Sequence, residues 1–274
     1  MTELTYKNKL EHPCFPQPAD GSIGVWRYLD LAKFIWLLEN QKLYFANLDS
    51  LNDPHEGSRP RIQAEYEDQQ LLTIHRYQLI QEFGVDLGTK KFQTAMPSFI
   101  EQNRQIRIKN QKERRQLYVS CWYLGDMESE AMWRLYCPDN NGVAIQTNYS
   151  KLVESVANDP ELYIGCVTYI DYDAQVFPSG NLFYPVMHKR ISFAHEQEVR
   201  LVKIRVPDNW GLSNEFCPPG IPVDWPLELV VNAIYVDPYA PEYFYDVVRS
   251  IIQRVVPDLV DRVFWSPMKA SPVF

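Results

Sequence analysis

The order of the predicted elements indicates an α+β fold with a mixed or antiparallel sheet at its core. Strand-like and helix-like segments follow one another without the regular strand–helix alternation of a parallel α/β protein. The longest helical stretch, about residues 61–116, predicts a helical insertion on the sheet. The last segment, from 229 to 265, has a strand, a helix and a strand, and predicts a C-terminal β-α-β unit.

The first half of the chain begins with a polar, proline-containing stretch, 1–22, which predicts an extended N-terminal arm. A short strand at 24–29 follows. Asp30 then suits a helix N-cap, because apolar residues recur after it at helical spacing up to Leu38. A second strand is predicted at 43–46. It leads into a polar loop at 47–60 and then into two or three helices.

The second half predicts further strands separated by short helices. They are strands at 117–122, 143–147, 163–172, 198–206, 229–236 and 260–265, and helices at 128–136, 151–157, near 182–195 and from Pro241 to Pro257. Neither an internal repeat nor a low-complexity linker divides these segments. We therefore expect a single domain over 1–274.

Composition predicts a cytoplasmic protein. Five scattered cysteines form no C-x-x-C pair, which is typical of free thiols in a reducing compartment, and no metal site is expected. The N-terminus shows no signal-peptide pattern, and no apolar run reaches the roughly 18 residues of a membrane span. A net charge of −8 argues against broad nucleic-acid or membrane binding.

One basic stretch, 104–115, departs from the acidic balance. It holds six cations and one acid: Arg104, Arg107, Lys109, Lys112, Glu113, Arg114 and Arg115. A solvated helix face is one interpretation, and a nucleic-acid contact is the other.

The polar loop carries candidate site residues. Asn52, Asp53, His55 and Glu56 surround Pro54, a composition that forms capped turns. The same donors and carboxylates suit substrate positioning, with His55 as a general base. Phosphate-loop, dinucleotide-fingerprint, zincin and serine-hydrolase motifs are absent from the sequence.

A series of short motifs resembles the bacterial family known as domain of unknown function 2971. They are Trp26-Arg27-Tyr28, Leu43-Tyr44-Phe45, Leu51 to Glu56, Ser120-Cys121-Trp122, Met132 to Tyr136, Gly142 to Ile145, and Lys189 followed by Glu196 to Leu201. The resemblance covers roughly residues 24–206 and implies a fold group more than a reaction. Phe193 and His195 stand where the pattern has a tryptophan and a tyrosine.

A second set of residues is similar to ADP-ribosyltransferases. Arg27 on a first strand, Tyr44 on the next and Glu198 at the start of a late strand follow that family's order, and Glu196-Gln197-Glu198 is similar to its acidic motif. The resemblance implies NAD as substrate, with Glu198 and Glu196 catalytic and with Arg27, Tyr28 and Tyr44 holding the cofactor. A carboxylate would stabilise the oxocarbenium charge that develops on the ribose.

Two function classes stay open from the sequence. The first is an ADP-ribosyltransferase or NAD glycohydrolase, by analogy a defence or toxin effector acting on a small nucleotide or a protein acceptor. The second is a non-enzymatic ligand- or protein-binding module with an aromatic cleft. Structural alternatives also stand: Glu196, Glu198 and Arg200 as an ion-pair network on one strand face, Arg27 paired with a carboxylate, Tyr44 in the core, and Trp133 as core or cleft wall.

Overall fold

The computed structural model describes residues 11–205 and 217–272, and their side chains except those of residues 109–113. Eight α-helices are described: α1 (Leu31–Asn40), α2 (Arg61–Phe83), α3 (Val85–Glu113), α4 (Glu130–Tyr136), α5 (Tyr149–Ser155), α6 (Tyr184–Met187), α7 (Leu227–Val230) and α8 (Glu242–Val255). Several 3-10 turns join them. Among the described helices, none is long and apolar enough to cross a membrane.

A nine-stranded, mostly antiparallel sheet forms the core and confirms the predicted α+β class. Its strands are β1 (Gly24–Asp30), β2 (Lys42–Asn47), β3 (Leu117–Leu124), β4 (Gly142–Asn148), β5 (Leu162–Cys166), β8 (Glu198–Ile204), β9 (Gly220–Asp224), β10 (Ala233–Val236) and β11 (Val263–Trp265). They run in the order β11-β10-β4-β1-β3-β2-β9, with β8 joining β3 to β5. A separate parallel pair consists of β6 (Thr168–Ile170) and β7 (His188–Arg190).

The sheet divides at β3, and this division positions the site. The last residues of β3 pair with the start of β1, through Val25 with Leu124, while its early residues pair with β2, through Ala46 with Val119. Between these two contacts, no strand of the described residues pairs with the β3 edge. On its other edge, β3 pairs with β8 along seven residues. β1 and β2 therefore diverge and leave a gap beside the middle of β3.

Two apolar layers hold the sheet. On one face α1, α5 and α8 pack in the largest core, where the stripe of α8 buries Phe244, Val248 and Ile252. Burial of each such side chain stabilises the fold by about 1.5–3 kcal/mol relative to leaving it exposed.

The side chain of Asp30 accepts a hydrogen bond from the Lys33 amide at 2.8 Å and caps α1 as predicted. The predicted C-terminal β-α-β unit is confirmed as β10, α8 and β11, with the two strands parallel.

The helical insertion is also confirmed, as the antiparallel pair α2 and α3. His75 stacks on Phe99 at 4.5 Å between ring centroids, and this contact joins the two helices near their middle. Gln63 is the only fully buried residue of α2. The insertion therefore projects from the sheet and adds little to the core.

Several predicted boundaries were wrong. The helix expected near 182–195 is α6, then β7, then a 3-10 turn over Ile191–Glu196. The strand expected at 163–172 is divided between β5 and β6, which belong to different sheets. The strand expected at 229–236 starts only at Ala233, after α7. Of the predicted arm, residues 1–10 lie outside the described part of the chain.

Candidate functional site

A cavity of about 700 Å³ occupies the gap between β1 and β2. This volume lies in the range of small-molecule sites, about 300–1,000 Å³. Residues from both faces of the sheet line the cavity, because the gap passes through the sheet from one face to the other. The lining consists of Trp26, Arg27, Tyr28, Leu29, Ala32, Lys33, Trp36, Leu37, Tyr44, Ala46, Ser50, Leu51, Asn52, Val119, Cys121, Trp122, Tyr123, Met132, Tyr136, Glu196 and Glu198.

Arg27 bridges the gap at the middle of β3. Its guanidinium donates to the Ser120 hydroxyl, to the Cys121 carbonyl at 3.5 Å and to the Tyr44 carbonyl at 3.3 Å. All three acceptors are neutral. The buried Nε has no hydrogen-bond partner, and no carboxylate of the described residues forms an ion pair with Arg27. Burial lowers the pKa of this guanidinium, although arginine stays charged at neutral pH.

Tyr44 and Trp36 form an aromatic pair beside Arg27. Their ring centroids lie 5.8 Å apart in an edge-to-face arrangement. Tyr44 is 41% exposed, so the interpretation of Tyr44 as strand core was wrong. An exposed aromatic ring next to a cation offers a surface against which a flat ring can pack.

Below the cavity lies a group of five buried charges, here called the charge cluster: Glu56, Lys189, Glu196, Glu198 and Arg200. The Lys189 ammonium contacts Glu198 at 2.6 Å, Glu196 at 2.9 Å and Glu56 at 3.2 Å. Arg200 is fully buried. It binds Glu56 in a bidentate pair, with both distances 2.9 Å, and Glu198 at 2.7 Å. The predicted Glu–Arg network therefore exists, and Lys189 and Glu56 complete it.

Local backbone geometry brings the two carboxylates together. Glu196 ends a 3-10 turn, Gln197 adopts the left-handed conformation at φ 39°, and Glu198 begins β8. The prediction that both acids lie on one strand was therefore wrong. The reversal at Gln197 still lets both side chains reach Lys189. Glu198 and Arg200, two residues apart in β8, do share a face as predicted.

The two carboxyls differ in their protonation. Burial raises the pKa of Glu198, but Arg200 and Lys189 outweigh burial and hold it well below its usual range. The pKa of Glu196 is raised to about 7. Burial is the largest cause, and the hydrogen bond to Glu198 and the repulsion from its charge act in the same direction, while Lys189 opposes the rise. Of these two carboxyls in the cavity wall, Glu196 is therefore the one that gains or loses a proton near neutral pH.

Tyr136 lies close to these carboxyls. Burial raises the pKa of its hydroxyl, and the nearby carboxyls of Glu196 and Glu198 raise it further. The hydroxyl therefore stays protonated at neutral pH, where it can donate to a ligand. Cys121 also lines the cavity, but burial raises the pKa of its thiol, so the reactive thiolate is disfavoured there.

The predicted loop at 52–56 divides between the cavity and its surroundings. Asn52 lines the cavity. Asp53 pairs with Arg190 at 2.8 Å, and Glu56 belongs to the charge cluster. The ring of His55 lies beside that of Tyr172 at 6.4 Å, and His55 does not line the cavity.

Two aromatic candidates lie on the opposite wall. The Tyr28 hydroxyl accepts a hydrogen bond from the Ser129 amide at 2.7 Å, and its ring contacts Trp133 edge-on at 4.9 Å. Trp133 is 1% exposed and donates to Glu128 at 2.7 Å. Tyr28 therefore lines the cavity, whereas Trp133 supports it from the core.

Sequence reasoning missed several lining or supporting residues. Trp36, Ser120, Tyr136 and Lys189 were not predicted as site residues. Tyr136 lies at helical spacing from Met132 and Trp133, which does not distinguish a cleft wall from a core. Lys189 is the seventh residue before Glu196, and nothing in that interval predicts their contact.

The described basic side chains of 104–115 are each paired with a carboxylate. Arg107 pairs with Asp68, Arg104 with Glu101 at 3.5 Å, and Arg114 and Arg115 both with Asp49. The described cations of this stretch therefore take part in ion pairs within the chain. Among the described residues, no group of histidine, cysteine, aspartate and glutamate side chains could hold a metal ion.

No family model matches the chain, and neither does any curated protein or solved structure. The resemblances to domain of unknown function 2971 and to ADP-ribosyltransferases therefore depend on the motifs quoted above.

Proposed function

We propose that the cavity binds a nucleotide with anionic and aromatic groups, with NAD as the first candidate, and that the protein cleaves its nicotinamide–ribose bond. The observation that carries the proposal is Arg27, a guanidinium in the cavity wall with neutral partners only. Arg27 is half-buried, so part of its charge has lost contact with water, and a pyrophosphate would supply a counter-ion.

The other groups of the cavity fit the same ligand. Trp36 and Tyr44 line the cavity with aromatic rings that can pack against a base or nicotinamide. The carboxyl end of the cavity, through Glu196, suits the positive charge of the nicotinamide ring and of the developing oxocarbenium ion. Anionic and cationic groups of one ligand thus meet opposite charges in one cavity.

For the chemistry, the geometry favours Glu196 over Glu198. Glu198 is neutralised by Lys189 and Arg200 at 2.6 and 2.7 Å, so it has little charge to offer a transition state. Glu196 has a pKa of about 7, near the optimum for a general base at neutral pH. In hydrolysis, a water oxygen bonds to the ribose carbon, the bond to nicotinamide breaks, and Glu196 takes the proton of that water. Nicotinamide leaves as a neutral molecule with the electron pair.

The second candidate function is binding without reaction. The observation that favours it is the same neutralisation of Glu198, which makes the predicted catalytic carboxylate a structural group. The two candidates differ in one measurement, which is the release of nicotinamide from bound NAD.

The test measures NAD binding by calorimetry and nicotinamide release by chromatography, for wild type and for Glu196→Gln. We expect NAD to bind both proteins, and release by the variant to fall about 10²–10⁴-fold. Glu154→Gln, an exposed glutamate of α5, serves as the matched control and should react like wild type. Binding without release in wild type would favour the binding module. If wild type does not bind NAD, the proposal is wrong.

A further inference from the structure

Strand β9 contributes no side chain to the cavity, yet it determines where Tyr44 lies. β9 pairs with β2 in a register that places Pro222 opposite Tyr44 and Gly220 opposite Ala46. Residues two apart in a strand share a face, so Gly220 is the diagonal neighbour of Tyr44. The Tyr44 ring extends along this diagonal and covers the Gly220 backbone.

The space above Gly220 is fully taken by that ring. A Cβ atom built on Gly220 would overlap Cζ, Cε1 and the hydroxyl oxygen of Tyr44. Ala46, the residue paired with Gly220, has a small side chain and also lines the cavity. The Ala46–Gly220 pair thus forms a shallow seat for the tyrosine, and any side chain at position 220 must displace the ring.

The position of this ring determines the aromatic wall of the cavity. Tyr44 meets Trp36 edge-on, and the Tyr44 carbonyl accepts from Arg27. A ring lifted off Gly220 changes its contact with Trp36 and moves toward the space that a ligand would occupy. Arg27 binds the backbone of Tyr44, so the ring can move without loss of that bond.

We propose that Gly220 is a specificity-determining position of the ligand site, because it seats Tyr44 so that the cavity admits a flat aromatic group beside Trp36. This inference rests on the proposed ligand site for its binding consequence. The seating of Tyr44 by Gly220 can be tested without any ligand.

The first measurement is ¹⁹F NMR of the full chain labelled with 3-fluorotyrosine, with the Tyr44 signal assigned from its loss in Tyr44→Phe. We expect Gly220→Ala to shift the Tyr44 signal. Asp224→Ala, at the other end of β9, controls for general disturbance of the strand and should leave that signal in place. An unchanged Tyr44 signal in Gly220→Ala would overturn the inference whether or not NAD binds.

The second measurement is the NAD dissociation constant in a double-mutant cycle. Gly220→Ala should weaken NAD binding about 3- to 10-fold, the usual range for loss of one aromatic contact. In the Tyr44→Ala background the same substitution should change the constant by less than about 2-fold, because its effect acts through that ring. Equal weakening of NAD binding in both backgrounds would show that Gly220 does not act through Tyr44, and would overturn the inference. Failure of wild type to bind NAD would instead contradict the proposed function.

Discussion

Arg27 and Arg200 are two guanidiniums with opposite surroundings: Arg200 is fully buried, whereas Arg27 is half-buried. Arg200 has the carboxylates of Glu56 and Glu198 at 2.7–2.9 Å and donates to the Val186 carbonyl at 2.7 Å. Arg27 has a hydroxyl, two carbonyls and the face of Trp122 at 5.7 Å. The charge of Arg200 is neutralised within the fold, whereas that of Arg27 is left for a ligand.

The comparison separates structural charges from functional ones. A fully paired buried charge resists change, because removal of one partner leaves the others uncompensated. A half-buried charge with neutral partners, such as that of Arg27, is held in place by the fold but keeps its attraction for an anion. Glu198 belongs to the first kind, although its sequence position alone predicts a catalytic group.

The largest effect is expected from Arg200→Met. The variant leaves Glu56 and Glu198 with Lys189 as their only cation, so the free energy of unfolding should fall by about 3–5 kcal/mol. Urea denaturation at pH 7.5 measures it. Arg59→Met, which breaks the partly exposed pair with Glu67, is the control and should cost at most about 1 kcal/mol. If Arg200→Met and Arg59→Met unfold at similar urea concentrations, the charge cluster contributes no more to stability than an exposed ion pair.

An intermediate effect is expected from Glu196→Gln as a function of pH. Because the folded state raises the pKa of Glu196 from 4.5 to about 7, the folded protein binds a proton in that window that the unfolded chain has lost. This contribution to stability is full below pH 4.5 and is lost as the pH rises to about 7. Wild type should therefore lose about 1–3 kcal/mol more than Glu196→Gln across the window, by urea denaturation at several pH values. Parallel curves would show that Glu196 titrates normally.

The smallest effect on stability is expected from Arg27→Met. It removes hydrogen bonds to neutral groups and a half-buried charge, so the free energy of unfolding should change by about 1 kcal/mol or less. NAD binding should weaken about 10-fold or more, because a charge-assisted contact is lost. Lys33→Met is the matched control, a cavity cation already paired with Asp30. If Arg27→Met lost as much stability as Arg200→Met and kept its NAD affinity, Arg27 would have a structural role and not a ligand-binding one.

Local sequence patterns predicted most of the elements and part of the site. The spacing of Phe244, Val248 and Ile252 predicted α8, and Asp30 predicted the start of α1, because helix periodicity and capping act within a few residues. β9 was missed because it is a short edge strand containing Pro222, a residue disfavoured inside sheets. Arg27, Tyr28, Tyr44, Asn52, Glu196 and Glu198 were predicted as site residues, and all six line the cavity.

The tertiary structure alone decided which charges are paired and where the cavity lies. Glu56 and Arg200 are 144 residues apart, and their contact depends on how the loop after β2 folds back over β8. The gap that holds Arg27 exists because β1 and β2 pair with different ends of β3. Strand order and register are set by the sum of many long-range contacts, so no short stretch of sequence specifies them. The sequence therefore determined which residues can carry charge and stacking, and the fold determined which of them remain available to a ligand.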